Sequence, residues 1–236
     1  MQQGFPWIAQ RNWEDILFIH TPVPASVLQE YVPTPFTIDT YNGQGWLTLV
    51  LFRATNSRFR YFPSFLSYPK LNQMNLRTYV TFGGESGVYF FSIHINSLVA
   101  ALGGNFAALP FQLAPLLIQE KNNTVHITGH RLFREKQGHL QLSYQPDARS
   151  FQPEKASLPY FLTERYHIFT KRRNRIKKGT IYHNKWLLQQ ATLSVGECQH
   201  IPFPVTSSTF SHYSAKQSTF LYPFEKVGIF NESSFT

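Results

Sequence analysis

The segment MNLRTYVTFGGESGVYFFSIHIN, Met74 to Asn96, carries Asn75, Arg77 and Tyr79 at alternate positions of an otherwise apolar run. In a strand, alternate side chains share one face. An amide, a guanidinium and a phenol side by side suit a carboxylate: Arg77 offers a planar fork, and Asn75 and Tyr79 offer further hydrogen bonds. If that face meets solvent, Arg77 is an ordinary surface cation. If it points into a closed interior, the guanidinium must be paired or face a polar cavity, because burying it alone costs several kcal/mol. Periodicity leaves both readings open. On the second strand, Tyr89, Phe91, Ile93 and Ile95 form one apolar face, and Val88, Phe90, Ser92, His94 and Asn96 one that turns polar. His94 is a weaker candidate for the same site. His20, ending the apolar strand ILFIHT, is weaker still, each as a general acid or base.

Other constellations point to bland roles. In TVHITGHR, His126 and His130 share a strand face with Thr128. Two histidines without a supporting carboxylate or cysteine make only part of a metal site, so no metal is expected. No H-E-x-x-H, G-x-S-x-G or P-loop pattern is present, and the pairs Gly83-Gly84 and Gly103-Gly104 lack the dinucleotide-binding form. No cofactor is expected. The one cysteine, Cys198, forbids an internal disulfide.

The elements that must position these residues read as mainly β. The chain has 236 residues, 16% of them aromatic and 15% charged, a composition suited to pleated, half-buried surfaces. No polar low-complexity linker divides it, so one domain over residues 1–236 is expected. In TIDTYNGQGWLTLVLFRAT, Asn42-Gly43 signals a hairpin. The strand after it places Trp46, Thr48, Val50 and Phe52 on one face and Leu47, Leu49, Leu51 and Arg53 on the other. Two apolar faces imply a sheet covered on both sides or a closed barrel. Short helices are expected after Pro24 and over SLVAALGGNFAAL. The aromatic loop FRYFPSFLSYPKL, Phe59 to Leu71, is expected to lie over the mouth of a site. TVHITGHRLF, HLQLSYQP, LTERYHIFT and TIYHNKW read as further strands.

The net charge of +9 is mostly local. Lys171, Arg172, Arg173, Arg175, Lys177 and Lys178 supply six units, and subtracting them leaves +3. The run falls between two strand-like segments and reads as a solvated hairpin tip, so no nucleic-acid partner is expected. Ser86 to Gln119 holds no Lys, Arg, Asp or Glu, but Gly103, Gly104, Asn105, Pro110, Gln112 and Pro115 break its apolar part. It is too interrupted for a membrane span. The N-terminus lacks the pattern of a signal peptide, and a cytoplasmic location is expected.

NLRTYV, GVYFFSIHINS, LPYFLTERY and the late HYS, with WEDILFIHTPVP and TIDTYNGQGWLTLVLF before them, resemble the uncharacterised YqjF-like family of the acetoacetate decarboxylase-like β-barrel superfamily. The resemblance spans nearly the whole chain. It implies a cone-like, mainly antiparallel barrel with a few peripheral helices and a central cavity near the polar side of NLRTY. Aligned with the more distant decarboxylases, Phe111 and Gln112 fall at their lysine pair and Asn75 at their carboxylate. The chain has no lysine between Lys70 and Lys121, whereas amine-based decarboxylation needs a Schiff-base lysine of depressed pKa. Acetoacetate decarboxylase activity is therefore not expected. Against the closer family, Gln73 stands where an acid is expected before the NLRTYV-type motif, and His94 replaces another.

The leading expectation is a barrel whose cavity binds a small carboxylate or ketone, with Arg77 as anchor and Asn75 and Tyr79 beside it. Whether it also turns that ligand over is open. A third reading is a structural or partner-binding protein that uses the basic tip; assembly into a homo-oligomer is compatible with any of these.

Overall fold

A computed structural model describes residues 6–61, 70–106, 109–133 and 137–229. Most of the aromatic loop expected over the site mouth lies outside them. The described residues form fourteen strands and three short helices: β1 Ala9–Val23, α1 Ala25–Tyr31, β2 Thr37–Ile38, β3 Gly45–Phe59, β4 Leu71–Phe82, β5 Glu85–Ile95, α2 Leu98–Phe106, β6 Phe111–Leu113, β7 Leu116–Lys121, β8 Thr124–Leu132, β9 Gly138–Phe151, α3 Leu158–Thr163, β10 His167–Arg172, β11 Arg175–His183, β12 Leu188–Gln199, β13 Phe210–Leu221 and β14 Glu225–Ile229. The mainly β expectation holds.

Seven strands close into a ring in the order β1, β3, β4, β5, β10, β11, β13, with β13 pairing back to β1. All contacts in the ring are antiparallel except β5 with β10. That closure depends on Gly87, because a Cβ there would sit 2.7 Å from the His167 carbonyl oxygen and 2.8 Å from the Phe169 ring. The β4–β5 hairpin turns at Gly83-Gly84, both with positive φ, as a two-residue turn between twisted strands requires. Asn42-Gly43 turns in the same way.

From β13 the sheet continues through β12, β9, β8 and β7, and this arm folds over the outer face of the ring. The largest apolar cluster lies between the two layers. Leu17, Ile19, Leu47, Leu49, Leu51, Met74 and Leu76 from the ring meet Leu116, Ile118, Ile127, Leu140 and Leu142 from the arm. The ring interior holds two further clusters. One gathers Ile16, Phe18, Val50, Phe52, Ile95 and Trp186, the other Trp46, Tyr79, Val88, Phe90, Ile93 and Ile168. The two apolar faces of β3 thus have separate partners, which is why the strand reads as apolar on both sides.

LTERYHIFT does not form a strand throughout. Its start belongs to α3, whose Ser157 cap accepts a hydrogen bond from the Tyr160 amide and whose first turn contains Pro159; β10 begins only at His167. The basic run forms the β10–β11 hairpin. Arg172, Arg173 and Arg175 are exposed at its tip, while the Lys171 amine donates to the Thr34 carbonyl at 2.9 Å and Lys178 pairs with Glu85 at 2.9 Å. Among the described residues no helix is long and apolar enough to cross a membrane.

Candidate functional site

The face of β4 that carries Gln73, Asn75, Arg77 and Tyr79 points into the ring. Tyr79 belongs to an interior cluster, while Met74, Leu76 and Val80, at the alternate positions, pack in the outer core. Tyr79 is fully buried. Its hydroxyl donates to the Leu162 carbonyl at 2.8 Å and lies 2.7 Å from Thr48 Oγ1. Because the phenol proton goes to Leu162, Thr48 donates to Tyr79, and the Thr48 oxygen then accepts from His20 Nδ1 at 3.0 Å. This order fixes His20 as the Nδ1–H tautomer. Arg77 Nη2 donates to the same Leu162 carbonyl at 3.0 Å. The last turn of α3 therefore offers one carbonyl to two donors from β4, and the chain of hydroxyls behind Tyr79 fixes one of them.

Above this face lies a cavity of about 100 Å³. Arg11, Arg77 and Arg165 contribute three guanidiniums to its lining, and Gln73, Asn75, Thr163, His183 and Thr219 add neutral polar groups. The remaining walls are apolar and aromatic, among them Phe52, Phe90, Phe111 and Trp186. No Asp, Glu or Lys lines it among the described residues. Arg165 is neutralised by Asp39, 2.7 Å away, and lies over the Phe161 ring at 4.1 Å. Arg77 lies 5.8 Å from the Phe18 ring centroid and has no ion-pair partner among the described residues. Its Nε is buried without a hydrogen bond there. Gln73 donates to Asn75 Oδ1 at 2.8 Å and leaves its own Oε1 unpaired.

The candidates named from sequence separate here. Asn75 and Arg77 line the cavity; Tyr79 lies beneath it, holding Leu162. His20 is fully buried behind Thr48, its ring centroid 5.3 Å from that of His212. Burial, then His212 and the Arg77 charge, push its pKa well below the usual histidine value. His94 stands on the opposite face of the sheet. A register shift between Leu76 and Arg77 pairs Arg77 with Phe90 but Leu76 with Ser92, so Phe91 is the extra residue of a bulge. Past the bulge the alternation inverts: Ile93 and Ile95 face the ring interior, and His94 packs 4.6 Å from the Phe133 ring. Both its ring nitrogens lack partners among the described residues, and burial lowers its pKa to about 4. The two-faced pattern read from sequence for β5 therefore holds only up to Phe90.

A family model described as an uncharacterized conserved protein, DUF2071, matches residues 10–218. The chain belongs to this family. The uncharacterized protein YqjF of Bacillus subtilis strain 168 is 36% identical over 226 residues, covering 93% of each chain. Among solved structures, the enduracididine biosynthesis enzyme MppR complexed with pyruvate matches with a TM-score of 0.68 at 8% identity, over 97% of this chain and 93% of that one. An acetoacetate decarboxylase-like enzyme from Sphingomonas wittichii RW1 matches at 0.65 and 10%, over 95% and 94%. Acetoacetate decarboxylase from Legionella pneumophila matches at 0.59 and 13%, over 95% and 89%. At such identities the likeness is one of fold.

In this DUF2071 protein, the lining residues that strand periodicity did not single out come from distant segments. Arg11 lies on β1, Arg165 follows α3, His183 ends β11, and Trp186 follows it. Arg165 sits within LPYFLTERY and His183 within TIYHNKW. Each stands among other polar residues in its segment with nothing to mark it, and only ring closure brings them beside Arg77.

Proposed function

We propose that the cavity binds a small organic anion, a carboxylate that also bears a carbonyl group, with Arg77 as its anchor. The observation that carries this reading is the charge of the site. Three arginines line a largely apolar space without a lining carboxylate, and of the three only Arg165 has an acidic partner among the described residues. A cation so placed is costly unless an anion joins it. The free edge of the guanidinium suits a carboxylate, and the Asn75 and Gln73 amides supply hydrogen bonds to a second oxygen. Apolar walls suit the short carbon skeleton. MppR, of similar fold, was solved with pyruvate, which makes pyruvate a reasonable first probe. Schiff-base chemistry has no support, since no lysine lines the cavity among the described residues and Phe111 stands in its wall.

Thermal denaturation with pyruvate, acetoacetate and acetone tests the reading. At a hundredfold excess over Kd, an anion should stabilise the fold by about 2.7 kcal/mol. For a chain of this size that is a rise of about 5–10 °C in Tm. Acetone, with the carbonyl but no charge, should give none. Arg77→Ala should abolish the shift, and Arg77→Lys, which keeps the charge without the fork, should retain part of it. Equal shifts in wild type and Arg77→Ala would refute the anchor, and no shift with either acid would refute the cavity as their site.

A further inference from the structure

We infer that His183 is the proton-transfer residue of this cavity, able to remove and return a proton on the carbon beside the carbonyl of a bound oxo acid. The inference rests on the reading of the cavity as an oxo-acid site. It starts from what the lining offers. The ionisable side chains there, among the described residues, are Arg11, Arg77, Arg165 and His183. Guanidinium does not give up its proton at any ordinary pH, which leaves the imidazole as the lining group that exchanges one near neutrality.

The structure holds that imidazole in a defined state. His183 Nδ1 lies 2.8 Å from the Asn184 carbonyl oxygen. A carbonyl only accepts, so Nδ1 carries the hydrogen and Nε2 is the basic nitrogen of the neutral ring. The ring stacks on Tyr166 at 4.6 Å and lies 5.0 Å from Trp186, which confines its orientation. Ile181, two residues earlier on β11, and His183 both line the cavity, as strand alternation requires.

Its surroundings oppose one another in a way suited to a base. Burial lowers the pKa most, and the Arg77 charge on β4 adds to that effect. The carbonyls of Asn184 and Arg165 and the carboxylate of Glu164 favour the protonated ring. Glu164 is held by the Trp186 amide at 3.0 Å and by the Tyr166 hydroxyl. The resting histidine is neutral, and the imidazolium formed when it takes up a proton has a buried carboxylate nearby to stabilise it.

The step balances without a further reagent. Nε2 takes a proton from the carbon next to the carbonyl, the electron pair of that C–H bond forms the carbon–carbon double bond, and the carbonyl π pair moves to oxygen. The enolate oxygen develops its charge in a cavity lined by guanidinium groups, the preorganised arrangement that stabilises such an intermediate. Returning a proton to carbon restores the ligand.

Exchange makes the step visible. Pyruvate incubated with the protein in D₂O should lose its methyl proton signal faster than in buffer alone, read by proton NMR. Positioned general bases contribute about 10²–10⁴-fold, so His183→Asn, whose amide nitrogen replaces Nδ1 as donor to the Asn184 carbonyl and which has no basic nitrogen, should return exchange to the buffer rate. The pyruvate-dependent rise in Tm should survive in that variant. Should it fail to fold, the wild-type pH profile decides: exchange should rise with pH through one ionisation below the usual histidine value and then level off. Binding without accelerated exchange, exchange equal in wild type and His183→Asn, or a flat pH profile would each overturn the inference while leaving the binding reading in place. Absence of any pyruvate binding would overturn both.

Discussion

The chain of hydroxyls behind Arg77 makes a quantitative prediction, because each link is buried and each direction is known. Tyr79→Phe deletes one oxygen. It removes the hydrogen bond to Leu162, leaving that carbonyl to Arg77 Nη2 alone, and strands the Thr48 hydroxyl, which is fully buried. A lost bond costs about 1 kcal/mol net, and a stranded buried donor about 1–3 kcal/mol more. The sum is about 2–4 kcal/mol, or a fall in Tm of about 5–15 °C for a chain of this size. Thr48→Val should cost about 1–3 kcal/mol, since it removes the acceptor of His20 Nδ1. The double variant should cost less than the sum, because the hydroxyl that Tyr79→Phe strands is then absent. A coupling of about 1–2 kcal/mol is expected for such neighbours. Urea denaturation of the wild type and three variants measures it, provided the m value stays constant. Strict additivity, or a Tyr79→Phe cost below about 0.5 kcal/mol, would show that the chain does not hold the site as described.

Two further predictions follow from buried groups. Burial pushes His94 and His212 down to about 4 and His20 well below its usual value. Below about pH 6.5 the unfolded chain takes up protons that the native one refuses, so stability falls with pH, and for His94 and His212 the loss levels off near pH 4. Each of these two should remove about 2 kcal/mol by pH 5. His94→Met should cancel its share, and an unchanged profile of denaturation midpoint against pH would refute the assignment. Sodium borohydride with acetoacetate should leave the mass of the chain unaltered, as expected where no lysine lines the cavity among the described residues; a trapped adduct seen by mass spectrometry would reverse that reading.

What was legible in the sequence, and what was not, follows from the range of each signal. Strand alternation is a two-residue signal, and it assigns Asn75, Arg77 and Tyr79 to one face because three polar side chains interrupt an apolar strand at a constant step. It cannot say which face is the inner one. That is set by closure of the ring, which runs through the contact of Gly87 with His167, eighty residues later in the chain. Alternation also breaks wherever a residue is inserted. Neither Gly nor Pro marks the bulge at Phe91, and beyond it every side chain changes face, so His94 leaves the side of Arg77 while Ile93 and Ile95 join it.

The rest of the cavity was hidden for a different reason. Arg11, Arg165 and His183 each stand beside other polar residues in segments of ordinary composition, where a surface position would look the same. Their meaning comes from convergence. The three guanidiniums carry the positive charge, Asp39 neutralises only Arg165, and the Leu162 carbonyl anchors Arg77 without neutralising it. A carbonyl dipole offsets a buried cation less than a carboxylate does, which leaves the Arg77 end of the cavity electrostatically incomplete. A small anion would complete it. The same long-range closure sets His183 into the wall of that space, so the charge that would hold a ligand and the base that would act on it arise from one feature of the fold.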